Sequence, residues 1–224
     1  MKIYPAVLTD SLETIQQQVD KAKSCPDVEI VQIDIIDGFF ADNITASPHN
    51  LLEIDFGDLE LDLHLMVEEP MDTILEIATV REHLPLRAII AQVERMTYQQ
   101  DFVTEVKKMD LKVGLSLDAY TDLEALDEGI VNQLDIVQFM GIQAGFQEEK
   151  LVPFVFEKIE DFFQIHRLER QQENFPEIIF DGGVTEEYLP QIIKLGISSF
   201  AIGSTLWQAS DFCEQYSHYL QLGE

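Results

Sequence analysis

A closed (β/α)8 barrel of the TIM type is the fold this sequence predicts, and three observations carry the expectation. Short β-branched, apolar runs alternate with segments of helical spacing, the pattern that argues for a parallel sheet. About eight such strand–helix units follow one another without a break in composition, which points to closure rather than to an open sheet. The chain has 224 residues, inside the range of roughly 200–250 over which an α/β barrel forms as one unit.

The expected strands are Ile3–Leu8, Glu29–Ile35, Leu59–Met66, Ala88–Val93, Lys112–Leu117, Ile136–Met140, Glu177–Asp181 and Ser198–Ile202. Helical spacing fills the intervals at Ser11–Lys23, Met71–His83, Tyr98–Met109, Leu123–Gly129, Lys150–Arg170, Glu186–Leu195 and Ser210–Leu220. No Pro/Gly/Ser-rich linker divides the chain, so residues 1–224 read as one domain.

Composition narrows the function. With 46% hydrophobic and 25% charged residues there is enough apolar material for a large core and no signature of disorder. The excess of 42 acidic over 14 basic residues gives a formal charge of -28, which repels polyphosphate backbones and anionic head groups, so nucleic acid and membranes are not expected partners. An anionic small molecule would meet the same field, screened beyond about 8–10 Å at physiological salt, so local donors would have to hold it. Cys25 and Cys213 stand alone, without metal-finger spacing, and neither a signal peptide nor a stretch of ~18 apolar residues is present. A reduced, cytoplasmic setting is the expectation.

In a barrel of this kind the chemistry gathers at the C-terminal ends of the strands. Strand 2 ends in Gln32-Ile33-Asp34-Ile35-Ile36-Asp37-Gly38, where alternation sends Gln32, Asp34 and Ile36 to one face. A carboxylate aimed into a barrel mouth is costly to bury without a partner. Strand 3 places His64 and Met66 on one side, and strand 7 ends in Asp181-Gly182-Gly183, whose glycines leave backbone N–H groups open to an anion. After strand 8, Gly203-Ser204 opens a helix start with outward N–H groups. Taken singly these residues have ordinary readings: Asp34 and Asp181 as turn caps, His64 as a satisfied core histidine, Met66 and Met140 as core. Their shared position at strand ends favours a site.

The stretches Asp34-Ile35-Ile36-Asp37-Gly38-Phe39-Phe40-Ala41-Asp42-Asn43-Ile44-Thr45, His64-Leu65-Met66-Val67-Glu68-Glu69-Pro70, Ala144-Gly145-Phe146, Asp181-Gly182-Gly183-Val184 and Ala201-Ile202-Gly203-Ser204 closely resemble the ribulose-phosphate 3-epimerase family in order and spacing. The likeness covers nearly the whole chain. It implies a ketose phosphate as the small-molecule substrate, with homo-oligomerisation left open. In that family two histidines and two aspartates hold a divalent metal, and the aspartates trade the C3 proton from opposite faces. The resemblance puts Asp34, His64 and Asp181 on three of these positions, with Asp34 and Asp181 as the catalytic pair. Gln32 stands where the family has histidine. It is a weak ligand that suits Mg or Mn better than Zn or Fe. Thr9, Met66, Met140, Gly145, Gly182, Gly183, Gly203 and Ser204 complete the implied substrate- and phosphate-binding set.

The chain departs from the family elsewhere too. Gln92 replaces the strand 4 histidine, Ile36 a methionine and Asp118-Ala119 an asparagine–proline, while the glycine-rich loop after strand 6 becomes Gln143-Ala144-Gly145-Phe146-Gln147-Glu148-Glu149. Two glutamates there disfavour a phosphate unless Lys150 compensates or both face solvent in the next helix's first turn. The expectation is therefore a ketose-phosphate epimerase. The alternatives are a catalytically impaired barrel serving as a binding or scaffold protein, and an epimerase of another ketose.

Overall fold

The computed structural model describes residues 1–146 and 149–223. Its eight strands are β1 (Lys2–Val7), β2 (Ile30–Ile36), β3 (Glu60–Met66), β4 (Leu86–Gln92), β5 (Lys112–Leu117), β6 (Ile136–Met140), β7 (Glu177–Asp181) and β8 (Ser199–Ile202). All pair in parallel, in chain order, and β8 pairs with β1, so the sheet closes into a barrel. β5, β6 and β7 run where the sequence places them, and the other strands differ by a residue or two at their ends.

The helices are α1 (Leu12–Lys23), α2 (Pro70–Val80), α3 (Gln99–Lys108), α4 (Phe154–Ile165), α5 (Leu189–Lys194), α6 (Ser204–Trp207) and α7 (Phe212–Leu222). Side-chain caps fix the starts of some of them. The Ser11 side chain accepts from Thr14 N at 3.2 Å ahead of α1, and Asp211 accepts from Glu214 N at 3.0 Å ahead of α7. The helix expected over Leu123–Gly129 is absent. Short 3-10 turns stand at Leu123–Ala125 and Ile130–Gln133, and Gly129 at φ 73° ends any continuous helix. The Gln99 side chain donates to Ala125 O (2.6 Å) and accepts from Asp127 N (2.9 Å), taking backbone groups that a helix would have paired internally. The expected helix Lys150–Arg170 likewise begins later, at Phe154, so Glu149 lies in the preceding loop rather than in a helical first turn.

Alternation along the strands sorts the core. Outward residues such as Ile33, Leu63, Leu115, Val137 and Phe180 join the shell beneath the helices. Inward residues Tyr4, Ala6, Ala88, Ile90, Ile136, Ile179 and Ala201 form an apolar plug inside the barrel. Gly114 allows that plug to close, since a Cβ there would meet Ile90 Cγ1 at 2.9 Å and Ile136 Cβ at 3.0 Å. Two residues further along several strands the inward positions turn polar: Ile90 gives way to Gln92, Ile136 to Gln138 and Ile179 to Asp181. Another step on β2, β3 and β6 brings an apolar collar of Ile36, Met66 and Met140. The polar belt is thus held between two apolar layers.

Candidate active site

β2 and β3 pair so that Asp34 lies opposite His64, and β6 and β7 so that Met140 lies opposite Asp181. Closure of the barrel then brings one ligand atom each from Asp34, His64 and Asp181 to within 4.8 Å of one another. His64 Nδ1 stands 3.1 Å from Asp34 Oδ1 and 3.4 Å from Asp181 Oδ2. His64 is fully buried and both aspartates are 6% exposed, so the carboxylates form the floor of a cavity and the imidazole lies beneath.

Two glutamines complete the belt. Gln32 Nε2 donates to Asp34 Oδ1 at 2.9 Å and to Asp181 Oδ2 at 2.8 Å. Gln138 Nε2 donates to the same Asp181 oxygen at 2.7 Å and lies 3.3 Å from His64 Nδ1. On the far side of the ring, Gln92 turned with its carbonyl inward accepts from His64 Nε2 (3.0 Å) and Ser116 Oγ (3.1 Å), while its amide nitrogen donates to Glu94 Oε2 at 2.8 Å. This orientation gives every polar atom of Gln92 a partner, and it fixes Nε2 of His64 as a proton donor. Gln92, the strand 4 departure, therefore orients the histidine.

Electrostatics follow from burial. Burial pushes Asp181 up to about 7, the charge of Asp34 adds to this, and His64 and the Gln32 hydrogen bond only partly offset it. For His64, burial alone would lower the pKa, but the hydrogen bond and charge of Asp34, with the charges of Asp181 and Glu94, raise it. Burial likewise raises Glu94.

The cavity above has a volume of about 380 Å³. Met66, Met140, Gly145, Gly182, Gly183, Gly203 and Ser204 line it together with Asp34 and Asp181, while Thr9 is not in the lining and Leu8 is. Thr9 Oγ1 instead accepts from Ser11 N at 3.2 Å, a local turn contact. Gly182 and Gly183 have φ of +85° and +69°, and a Cβ on Gly182 would fall 2.5 Å from Ile142 Cγ1. Glu149 lines the cavity, and no lysine or arginine does so among the described residues. Gln147 and Glu148 lie outside the described residues.

The surrounding loops are tied by side chains. Asp37, at the end of β2, accepts from Phe39 N, Phe40 N and Glu68 N at 2.8–3.0 Å, so its role is in the turn. Asn43 Nδ2 donates to Gly145 O at 2.9 Å, and Asp118 Oδ2 accepts from Ala144 N at 2.7 Å. Lys158 on α4, buried, donates to Asp118 O and Ala119 O at 2.7 and 2.8 Å, and burial lowers its pKa. Sequence reasoning did not single out Gln138, Ser116, Glu94 or Lys158. Gln138 did carry a signal, as the one polar residue on the inward face of an otherwise apolar strand.

Buried carboxylates and a histidine at the C-terminal ends of barrel strands, under a cavity, are the layout of a (β/α)8 barrel enzyme. The model of the ribulose-phosphate 3-epimerase family matches residues 2–207, and the chain belongs to that family. It is 26% identical over 212 residues to ribulose-phosphate 3-epimerase of Bacillus subtilis (strain 168), covering 94% of each chain. To the chloroplastic ribulose-5-phosphate-3-epimerase of Arabidopsis thaliana it is 26% identical over 216 residues, covering 95% of this chain and 73% of that protein. Among solved structures, 3-hexulose-6-phosphate synthase from Salmonella typhimurium superposes with a TM-score of 0.68 at 15% identity, covering 100% of this chain and 98% of that one. Orotidine 5'-monophosphate decarboxylase from Methanocaldococcus jannaschii gives 0.62 at 12%, covering 99% and 97%. At these identities the likeness concerns the barrel fold.

Proposed function

We propose that the protein inverts C3 of a ketose phosphate by proton transfer between Asp34 and Asp181. The observation that carries this reading is the pair itself: two carboxylates, each 6% exposed, at the floor of one cavity and bridged below by His64. A proton beside a carbonyl is removed by one carboxylate and returned by the other from the opposite face, which inverts the centre. Burial, which pushes Asp181 up to about 7 in the metal-free site, favours Asp181 as the carboxylate that donates. The Gln32 and Gln138 amides hold the inner carboxylate oxygens and leave the outer ones for substrate.

The donor set suits a divalent cation: Asp34, His64 and Asp181 offer two oxygens and a nitrogen in one cluster, and Gln32 can present a carbonyl. When bound there, such an ion would supply Lewis-acid stabilisation of the enediolate oxygens. The backbone amides of Gly183, Gly203 and Ser204 would take the phosphate, a common arrangement after strands 7 and 8 of barrels. Glu149 opposes it. That residue, with no lysine or arginine in the lining among the described residues, favours a second reading in which the sugar is an unphosphorylated ketose.

Proton exchange at C3 in deuterated water, followed with ribulose 5-phosphate and with free ribulose, separates the two. Exchange with the phosphate ester, lowered by about 10²–10⁴ in Asp181→Asn, is the expected result. Exchange with free ribulose alone would move the assignment to the second reading. No exchange with either sugar in the presence of Mn2+, Mg2+ or Zn2+ would favour a binding protein.

A further inference from the structure

Three glutamines surround His64, and only one has all its polar atoms paired. Gln92 uses both ends of its amide. Gln32 and Gln138 use only Nε2: the carbonyl oxygens Gln32 Oε1 and Gln138 Oε1 are buried without a hydrogen-bond partner. Both residues are 0% exposed. Leaving a buried acceptor unpaired costs about 1–3 kcal/mol, so two side by side in one belt call for an explanation.

The two amide ends also belong to a compact cluster. Gln32's lies 2.9 Å from Asp34 Oδ1, 2.8 Å from Asp181 Oδ2 and 3.5 Å from His64 Nδ1; Gln138's lies 2.7 Å from Asp181 Oδ2 and 3.3 Å from His64 Nδ1. With the His64 contacts of 3.1 and 3.4 Å, these edges bracket the value of about 3.0 Å between adjacent ligands of an octahedral ion with bonds of about 2.1 Å. A half-turn of either amide exchanges its nitrogen and oxygen with almost no change of shape.

We propose that Gln138, together with Gln32, is a metal ligand: both amides turn their carbonyl oxygens inward when a divalent cation enters between Asp34, His64 and Asp181. The shell is then four oxygens and one nitrogen, a set suited to Mn2+ or Mg2+ rather than to four-coordinate Zn2+. Without a cation the same amides face inward by nitrogen and hold the two carboxylates. Gln92 keeps the Nδ1 lone pair of His64 aimed at the cluster by accepting from Nε2. This rests on the cation part of the reading above, not on the identity of the sugar.

The sign of one mutational effect decides it. If Gln138 is a ligand, Gln138→Leu weakens Mn2+ binding, by about tenfold, and changes Zn2+ binding less. If Gln138 only donates a hydrogen bond to Asp181, removing that competitor leaves Mn2+ affinity unchanged or raises it. Free Mn2+ is read by electron paramagnetic resonance during titration of wild type, Gln138→Leu and Gln32→Leu, with thermal unfolding of each as the folding check. Gln138→Asn, which keeps the amide but withdraws it by one methylene, replaces Gln138→Leu if the latter does not fold, with the same loss expected. Unchanged or tighter Mn2+ binding in the Gln138 variants overturns the inference and leaves the cation reading in place. No Mn2+ binding by wild type at millimolar ion overturns both. C3 proton exchange, measured on the same samples, reports separately on the epimerase reading.

Discussion

The two ends of this barrel bury carboxylates in opposite ways. At the N-terminal end, Asp62 is gripped by Arg87, whose Nε donates to Oδ1 at 2.7 Å and whose Nη2 donates to Oδ2. Beside it Glu177 accepts from Tyr4 Oη at 2.5 Å, Ser199 Oγ at 2.6 Å and Lys2 Nζ at 3.2 Å, and the Arg87 guanidinium lies 5.1 Å above the Tyr4 ring. At the C-terminal end, the side-chain partners of Asp34 and Asp181 among the described residues are His64 and two neutral amides. Burial opposes the charged form at both ends: at Glu177 the hydrogen bonds of Ser199 and Tyr4 and the charge of Lys2 overcome it and lower the pKa, at Asp62 it outweighs Arg87 and raises the pKa, and at Asp181 burial and the charge of Asp34 together raise it. One end is finished by the chain itself. The other is left electrostatically incomplete where a cavity opens, which is where a substrate or ion can complete it.

The largest expected effect tests the finished end. Arg87→Met leaves Asp62 buried without its partner and should destabilise by about 3–5 kcal/mol, lowering Tm by roughly 10 °C in a chain of this size. C3 proton exchange per folded molecule should be unchanged, because Arg87 stands at the opposite end of the strands from the cavity. Adding Asp62→Leu should restore most of the Tm, since the pair as a whole adds little over well-packed apolar residues. An unchanged Tm in Arg87→Met would show that the two ends do not differ in this way.

These two ends were not equally legible in the sequence. Asp34, His64 and Asp181 could be read because each sits at the end of an apolar strand, and barrel closure alone then brings such ends together. The strands were found for the same reason, since a buried parallel strand is a run of β-branched residues that stands out from its surroundings. The pairing of Tyr4 with Glu177 joins residues 173 apart, and nothing local in either marks the other. Gln138 was overlooked because one glutamine in Ile136-Val137-Gln138-Phe139-Met140 looks like a tolerated exception until the inward face is traced around the barrel. The failed helix at Leu123–Gly129 has a tertiary cause, the Gln99 side chain on α3, which no window of that segment contains.

A middle-sized effect concerns pH, with chelator present to keep the site free of metal. An acid whose pKa is raised on folding binds more protons in the folded than in the unfolded chain, so stability falls as pH rises between the two values. For Asp181 that window runs from the ordinary 3.8 to about 7. Asp181→Asn removes this slope, and its stability relative to wild type should grow from pH 4 to 7 by an amount on the order of 2 kcal/mol, then level off. Urea unfolding across that range measures it. Parallel pH curves for the two proteins would mean that the open end carries no such strain.

The smallest effect separates buried partners from exposed ones within the finished end. Lys2 and Tyr4 both contact Glu177 Oε1, but the Lys2 side chain is 62% exposed while Tyr4 is 2% exposed. An exposed ammonium is solvated equally well in the unfolded chain and loses rotamer freedom when it pairs, so Lys2→Ala should change stability by no more than about 0.5 kcal/mol. Tyr4→Phe deletes a hydrogen bond to a half-buried charge and should cost about 1.5–3 kcal/mol. Both follow from one urea-unfolding series, and salt adds a second axis: the Lys2 contribution should disappear in 1 M NaCl, where the screening length is about 3 Å, while the Tyr4 contribution persists. Equal losses in the two variants would mean that Glu177 is held by charge at the surface, and the contrast between the ends would then rest on Arg87 and Asp62 alone.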